Sequence, residues 1–86
     1  MPQLIYRVEP EFTDAARQAK HQGSVLLSII VDAEGHVRDP KVINALGLGL
    51  DERAMAAVKQ WRFKPGMKEG KAVPVYAQVQ VTFRLL

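Results

Sequence analysis

Hydrophobic positions change their spacing along the chain, and each spacing predicts a different element. Ala54, Ala57, Val58 and Trp61 recur at the three- and four-residue interval of one helical face, while Glu52, Arg53, Lys59 and Gln60 fall off it. This predicts a helix from about Leu50, with Asp51 as its N-cap and Trp61 at its end, locking helix to sheet. Near the C-terminus the spacing becomes two. Val75, Ala77, Val79, Val81 and Phe83 alternate with Tyr76, Gln78, Gln80, Thr82 and Arg84, as in a strand with one buried face; the run from Val73 to Leu86 is assigned to it. Ser24 to Asp32 is a further strand, with Val25, Leu27, Ile29 and Val31 on one face and the half-apolar Ser24, Leu26, Ser28 and Ile30 on the other, a composition that suits a central position.

Turn chemistry supplies the remaining boundaries. Pro10 keeps Glu9 out of the helical region, so Gln3 to Pro10 is an extended lead-in. A first helix follows, capped by Thr13, built on Ala15, Ala16 and Ala19 and stopped by Gly23, with Phe12 packed ahead of the cap. Asp32 to His36 forms a turn around Gly35, and a strand from Val37 to about Ala45 follows, confined to an edge or bulged by Pro40. Gly47 to Gly49 is a flexible connection, and Lys64 to Lys71 is a polar, hairpin-like loop.

The order is helix, strand, strand, helix, strand, preceded by a short extended segment. This is an α+β fold in which two helices pack on one face of a three-stranded antiparallel sheet. With the first strand central, the last becomes a long open edge. Between Val75 and Thr82 it has none of the prolines, bulges or inward charges that usually blunt such an edge, so it is expected either to pair with a partner strand or to be covered.

Eighty-six residues make one domain, 1–86, with a core one layer deep and little room for an internal active site. No cysteine is present, which removes disulfides, thiolate metal ligands and a thiol nucleophile. The longest apolar run is far shorter than the roughly 20 residues that cross a bilayer, so a membrane anchor would have to belong to a longer parent chain. The net charge is +3, but basic residues are interleaved with acids and the aromatics form no stacking platform, so nucleic acid is not expected as a partner. His21 and His36 have no ligand-set spacing, and Asp32, Glu34 and Asp39 depart from a calcium loop. Ser24 and Ser28 lack a triad signature, and Gly47-x-Gly49 lacks the rest of a phosphate loop. Neither catalytic nor metal-binding residues are assigned, and no enzyme activity or cofactor is expected.

One family gathers these features. The segments Pro10-Glu11-Phe12, Val31-Asp32-Ala33-Glu34-Gly35-His36-Val37, Leu50-Asp51-Glu52-Arg53-Ala54 and Ala57 to Gly66 (AVKQWRFKPG), with Gly70 to Val75, resemble the C-terminal domain of TonB-family energy transducers over nearly the whole chain. Phe12-Thr13 stands where that family often has Tyr-Pro, keeping the ring and exchanging a helix-starting proline for a capping hydroxyl.

The resemblance implies the periplasmic domain of a longer, inner-membrane-anchored protein of a Gram-negative-type bacterium. It implies docking to outer-membrane TonB-dependent receptors, whose TonB box adds as a strand, and coupling through the parent chain's anchor to proton-channel proteins of the ExbB/ExbD type. The matching binding residues are Val8, Glu9 and Pro10 in the lead-in, with Val75, Tyr76, Ala77, Gln78, Val79, Gln80, Val81, Thr82 and Phe83 in the last strand. Strand direction is left open, and so is homodimer formation through edge strands. The alternative is a same-fold envelope module, structural, peptidoglycan-associated or attached to a sensor, that is not coupled to transport.

Overall fold

The three-dimensional structure, a computed structural model, describes residues 3–85. In chain order the elements are β1 (Gln3–Tyr6), α1 (Asp14–Gln18), β2 (Gly23–Val31), β3 (Val37–Asn44), α2 (Leu50–Val58), β4 (Arg62–Lys64), β5 (Gly66–Lys68), β6 (Lys71–Val73) and β7 (Val75–Phe83). The principal sheet is antiparallel with order β3-β2-β7, so β2 is central. Two small additions go beyond the expected three strands: β1 pairs with β4, and β5 with β6.

Alternation in β2 and β7 places the core. Val25, Leu27, Ile29 and Val31 are buried on one side of β2, and Val81 and Phe83 join them from β7. Leu50, Ala54 and Val58 of α2 close over this layer with Trp61 and Phe63, and Ala16 is the buried residue of α1. Each fully buried Leu or Ile here is worth roughly 1.5 to 3 kcal/mol, so the β2–α2 layer dominates the fold.

The helices differ from expectation at their ends. Thr13 caps α1 as predicted, its Oγ1 accepting from Ala16 N–H (3.1 Å) and donating to the Leu48 carbonyl (2.6 Å). The helix then stops at Gln18, well before Gly23, because Lys20 turns left-handed (φ 54°) and His21 N–H bonds to the Ala16 carbonyl (2.9 Å). A left-handed residue can therefore end a helix without glycine. Gly49, not Asp51, is the N-cap of α2. The Asp51 carboxylate lies inside the first turn and accepts from the N–H groups of Leu46 (2.7 Å) and Gly47 (3.1 Å), pinning the preceding loop. His21 Nε2–H holds the same loop through the Leu46 carbonyl (2.7 Å).

Trp61 lies beyond α2, which ends at Val58. The ring is 3 % exposed within the core, and its indole N–H donates to the Val8 carbonyl (2.9 Å). Trp61 thus fastens the lead-in to the domain as well as filling the core. The predicted polar loop is a hairpin, β5–β6, whose turn residues Glu69 (φ 51°) and Gly70 (φ 78°) both take the left-handed conformation that suits a two-residue connection. The final strand is regular from Val75 to Phe83, and Leu86 lies outside the described residues.

Candidate strand-docking edge

The two edges of the principal sheet are built differently. On β3, pairing with β2 shifts between Ser28 and Ile30, where Asp39 (φ 46°) and Pro40 form the irregularity expected of a proline in a strand. Arg38, Asp39 and Lys41 add exposed charges there, so β3 is blunted as a template. The β7 edge is clean. Its nine residues pair with β2 without a break, from Val75↔Val31 to Phe83↔Gly23, and none has positive φ. Among the described residues no strand pairs with its outer side. Its backbone groups alternate between bonding β2 and facing outward, so about half its N–H and C=O groups form a free row.

Side chains give this row two characters. On the helix side Val75, Ala77 and Val79 are half-buried while Val81 and Phe83 are buried, so the layer is sealed at the Phe83 end and thinner at the Val75 end. The seal includes an edge-to-face contact between Phe12 and Phe83, with centroids 5.5 Å apart. On the opposite side Gln78, Gln80 and Thr82 are exposed, and Tyr76 is 83 % exposed beside Ser28.

The lead-in meets only one end of this edge. Glu9 and Pro10 line an open cleft with Thr82 and Phe83, which joins the two candidate segments at the C-terminal end of β7. Val8 is drawn towards Trp61 and, together with Glu9 and Pro10, lines a second recess against α2. The span from Val75 to Val81 lies along the edge away from the lead-in. Sequence reasoning passed over Arg7 and Arg84, which flank the cleft. Arg7 pairs with Glu9 (3.3 Å) and lies 5.4 Å over the Trp61 ring, a stacking that the isolated lead-in sequence does not signal.

The Asp32 turn supports the sheet rather than offering free ligands. Asp32 Oδ1 accepts from the backbone N–H of His36 (2.8 Å) and Glu34 (2.9 Å), and Oδ2 accepts from Arg38 Nε (2.8 Å). The His36 bond, helped by Arg38 and Glu34 against some desolvation, holds the Asp32 carboxyl below its ordinary range. A carboxyl lowered on folding stabilises the fold above its unfolded pKa, about 3.9, and loses that contribution as pH falls through the lowered value. Asp32→Asn is therefore expected to lower the urea midpoint at neutral pH, with the gap to wild type narrowing on acidification. Parallel acid limbs for the two proteins would contradict it.

The family model for the Gram-negative bacterial TonB protein C-terminal matches residues 8–85. The chain belongs to the TonB C-terminal family. Protein TonB of Vibrio cholerae serotype O1 is 30 % identical over 80 residues, covering 92 % of this chain and 33 % of that protein. Protein tonB2 of Pseudomonas aeruginosa is 32 % identical over 82 residues, covering 94 % of this chain and 30 % of that protein. The chain thus spans about a third of the length of the curated TonB relatives it matches. A solution NMR structure of the Pseudomonas aeruginosa TonB CTD superimposes with a TM-score of 0.75 at 23 % identity, covering 98 % of this chain and 86 % of that one, which gives the TonB fold directly.

Proposed function

We propose that this TonB C-terminal domain is the periplasmic coupling module of a longer, inner-membrane-anchored transducer, and that it grips the TonB box of outer-membrane receptors by strand addition on β7. One observation supports this reading above the others: among the described residues the fold leaves β7 regular and unpaired on its outer side while blunting β3. Main-chain hydrogen bonds along Val75–Phe83 supply most of the affinity, and Tyr76, Gln78 and Gln80 tune selectivity on the exposed face. Glu9 and Pro10 meet the end of the added strand, with Val8 holding the lead-in in place.

Pairing along the strand also suits force transmission. Each ladder bond contributes about 0.5 to 1.5 kcal/mol net, so the contact releases at equilibrium, yet a pull along the strand loads several bonds together. The parent chain's anchor and the inner-membrane proton-channel proteins it engages supply that pull, and the domain itself performs no catalysis.

Titrating the isotope-labelled domain with receptor N-terminal peptides tests the proposal. Amide shifts are expected to concentrate on residues 75–83 and on Glu9. Shifts confined to the helices, with residues 75–83 silent, would overturn the site.

A further inference from the structure

The β5–β6 hairpin has a charge arrangement that strand pairing does not explain. Its register is Gly66↔Val73, Met67↔Ala72 and Lys68↔Lys71, so the two lysines stand directly opposite each other on one face. Like charges in that position oppose pairing. Met67 and Ala72 occupy the other face, and Met67 is 61 % exposed. Arg62 and Lys64 of β4, just before the hairpin in the chain, extend this basic character. Residues 62–71 hold four of the twelve basic residues and one of the nine acids, a net +3 that equals the whole chain's; the other eight bases are matched by eight acids. Among the described residues the ion pairs are Arg7–Glu9, Arg38–Asp32 and Arg53–Glu11, none of which uses these four cations.

We propose that the β5–β6 hairpin docks the domain onto the headgroups of an anionic phospholipid bilayer, with Lys68 and Lys71 on lipid phosphates and Met67 dipping into the interface. A phosphate between the two lysines converts their repulsion into a shared contact. Approached tip first, the hairpin brings the exposed Met67 of its other face to the same depth as the lysine pair, which favours a lipid surface over a purely polar polyanion, since only the former offers an apolar layer below its charges. Gly66 fixes the hairpin against the start of β7, where a Cβ would come within 2.7 Å of the Val75 side chain, so the docking element sits at the Val75 end of the sheet. This surface is separate from the strand-docking edge and does not depend on it.

Vesicle flotation of the domain without any peptide tests the proposal. At low ionic strength it is expected to float with vesicles of two parts phosphatidylcholine to one part phosphatidylglycerol, and not with phosphatidylcholine alone. Lys68→Gln/Lys71→Gln is expected to weaken partitioning about ten- to thirtyfold while raising Tm, because the repulsive pair is gone. Met67→Ser is expected to weaken it about threefold. Arg17→Gln/Lys20→Gln removes the same charge near the start of β2, which pairs with the Phe83 end of β7, and is expected to change partitioning less than twofold. Equal losses from both double variants, or no loss from Met67→Ser, would reduce the interaction to generic charge and overturn the assignment. Tighter capture by heparin than by anionic vesicles would overturn it too.

Discussion

Gly35→Ala is expected to destabilise the domain by about 3 kcal/mol, the largest effect of a methyl added at any of its glycines. Gly35 has φ +85°, and a Cβ there would come within 2.0 Å of the Phe63 carbonyl oxygen, a backbone atom that no side-chain rotation can clear. The same glycine accepts from Phe63 N–H at 2.9 Å, and its neighbour His36 forms a bridge with Arg62. The β2–β3 turn is thus pressed against β4. Left-handed strain at a non-glycine costs about 1 to 2 kcal/mol, and the lost hydrogen bond about 1 more. In a domain whose total stability is roughly 4 to 13 kcal/mol, that is a large share, corresponding to a Tm drop above about 12 °C. Gly70→Ala is the matched control: φ is +78° but nothing lies within 4 Å, so it carries only the backbone strain. Denaturant unfolding of both variants checks the prediction, and equal shifts in midpoint would show that the Gly35–Phe63 approach carries no energy of its own.

That contact also explains what the sequence could and could not disclose. The turn around Gly35 and the Trp61-Arg62-Phe63 run were recognisable separately, one from a glycine flanked by turn residues and the other from an aromatic run before Pro65-Gly66. Nothing in their spacing says that they touch, since Gly35 and Phe63 meet only after β2, β3 and α2 have packed. The principal sheet was legible because its signals are local. Strict alternation set β7, Pro40 announced the irregular β3 edge, and the half-apolar second face of β2 (Ser24, Leu26, Ser28 and Ile30) placed it in the centre. Apart from the Thr13 cap of α1, helix ends were not, for a physical reason. A carboxylate at Asp51 has the chemistry of an N-cap, yet the loop donors of Leu46 and Gly47 compete for it once the chain turns at Gly49. The β1–β4 pair was hidden likewise, because three-residue β4 has no period of its own. For the candidate site, the open edge followed from strand order. Which part of the lead-in reaches it depended on Trp61, whose indole holds Val8 while Glu9 and Pro10 reach the Phe83 end.

Proline placed in β7 is expected to separate folding from docking. Consecutive residues of an antiparallel strand direct their N–H groups to opposite sides, so of Gln78→Pro and Val79→Pro, one removes a donor to β2 and the other removes a donor on the free row. The first is expected to unfold the domain or greatly weaken it, because β2–β7 is the unbroken pairing at the centre of the fold. The second keeps the β2 ladder. It deletes one edge hydrogen bond, and its ring keeps an added strand from the spacing of about 4.8 Å that pairing requires, disrupting a neighbouring bond as well. At about 0.5 to 1.5 kcal/mol each, two lost bonds correspond to roughly five- to a hundred-and-fiftyfold weaker peptide binding. Circular dichroism identifies which variant remains folded, and calorimetric titration of that variant with a TonB-box peptide reads the affinity. Wild-type affinity in the folded variant would move the docking surface off β7, and with it the reading of this domain as a strand-adding coupler. Peptides N-methylated at alternate positions extend the test without touching the protein. Methylation in one phase of the alternation blocks the donors that face β7 and is expected to abolish binding; methylation in the other phase faces solvent and leaves it intact. If both phases bind alike, the contact is made by side chains and the clean edge is not its cause.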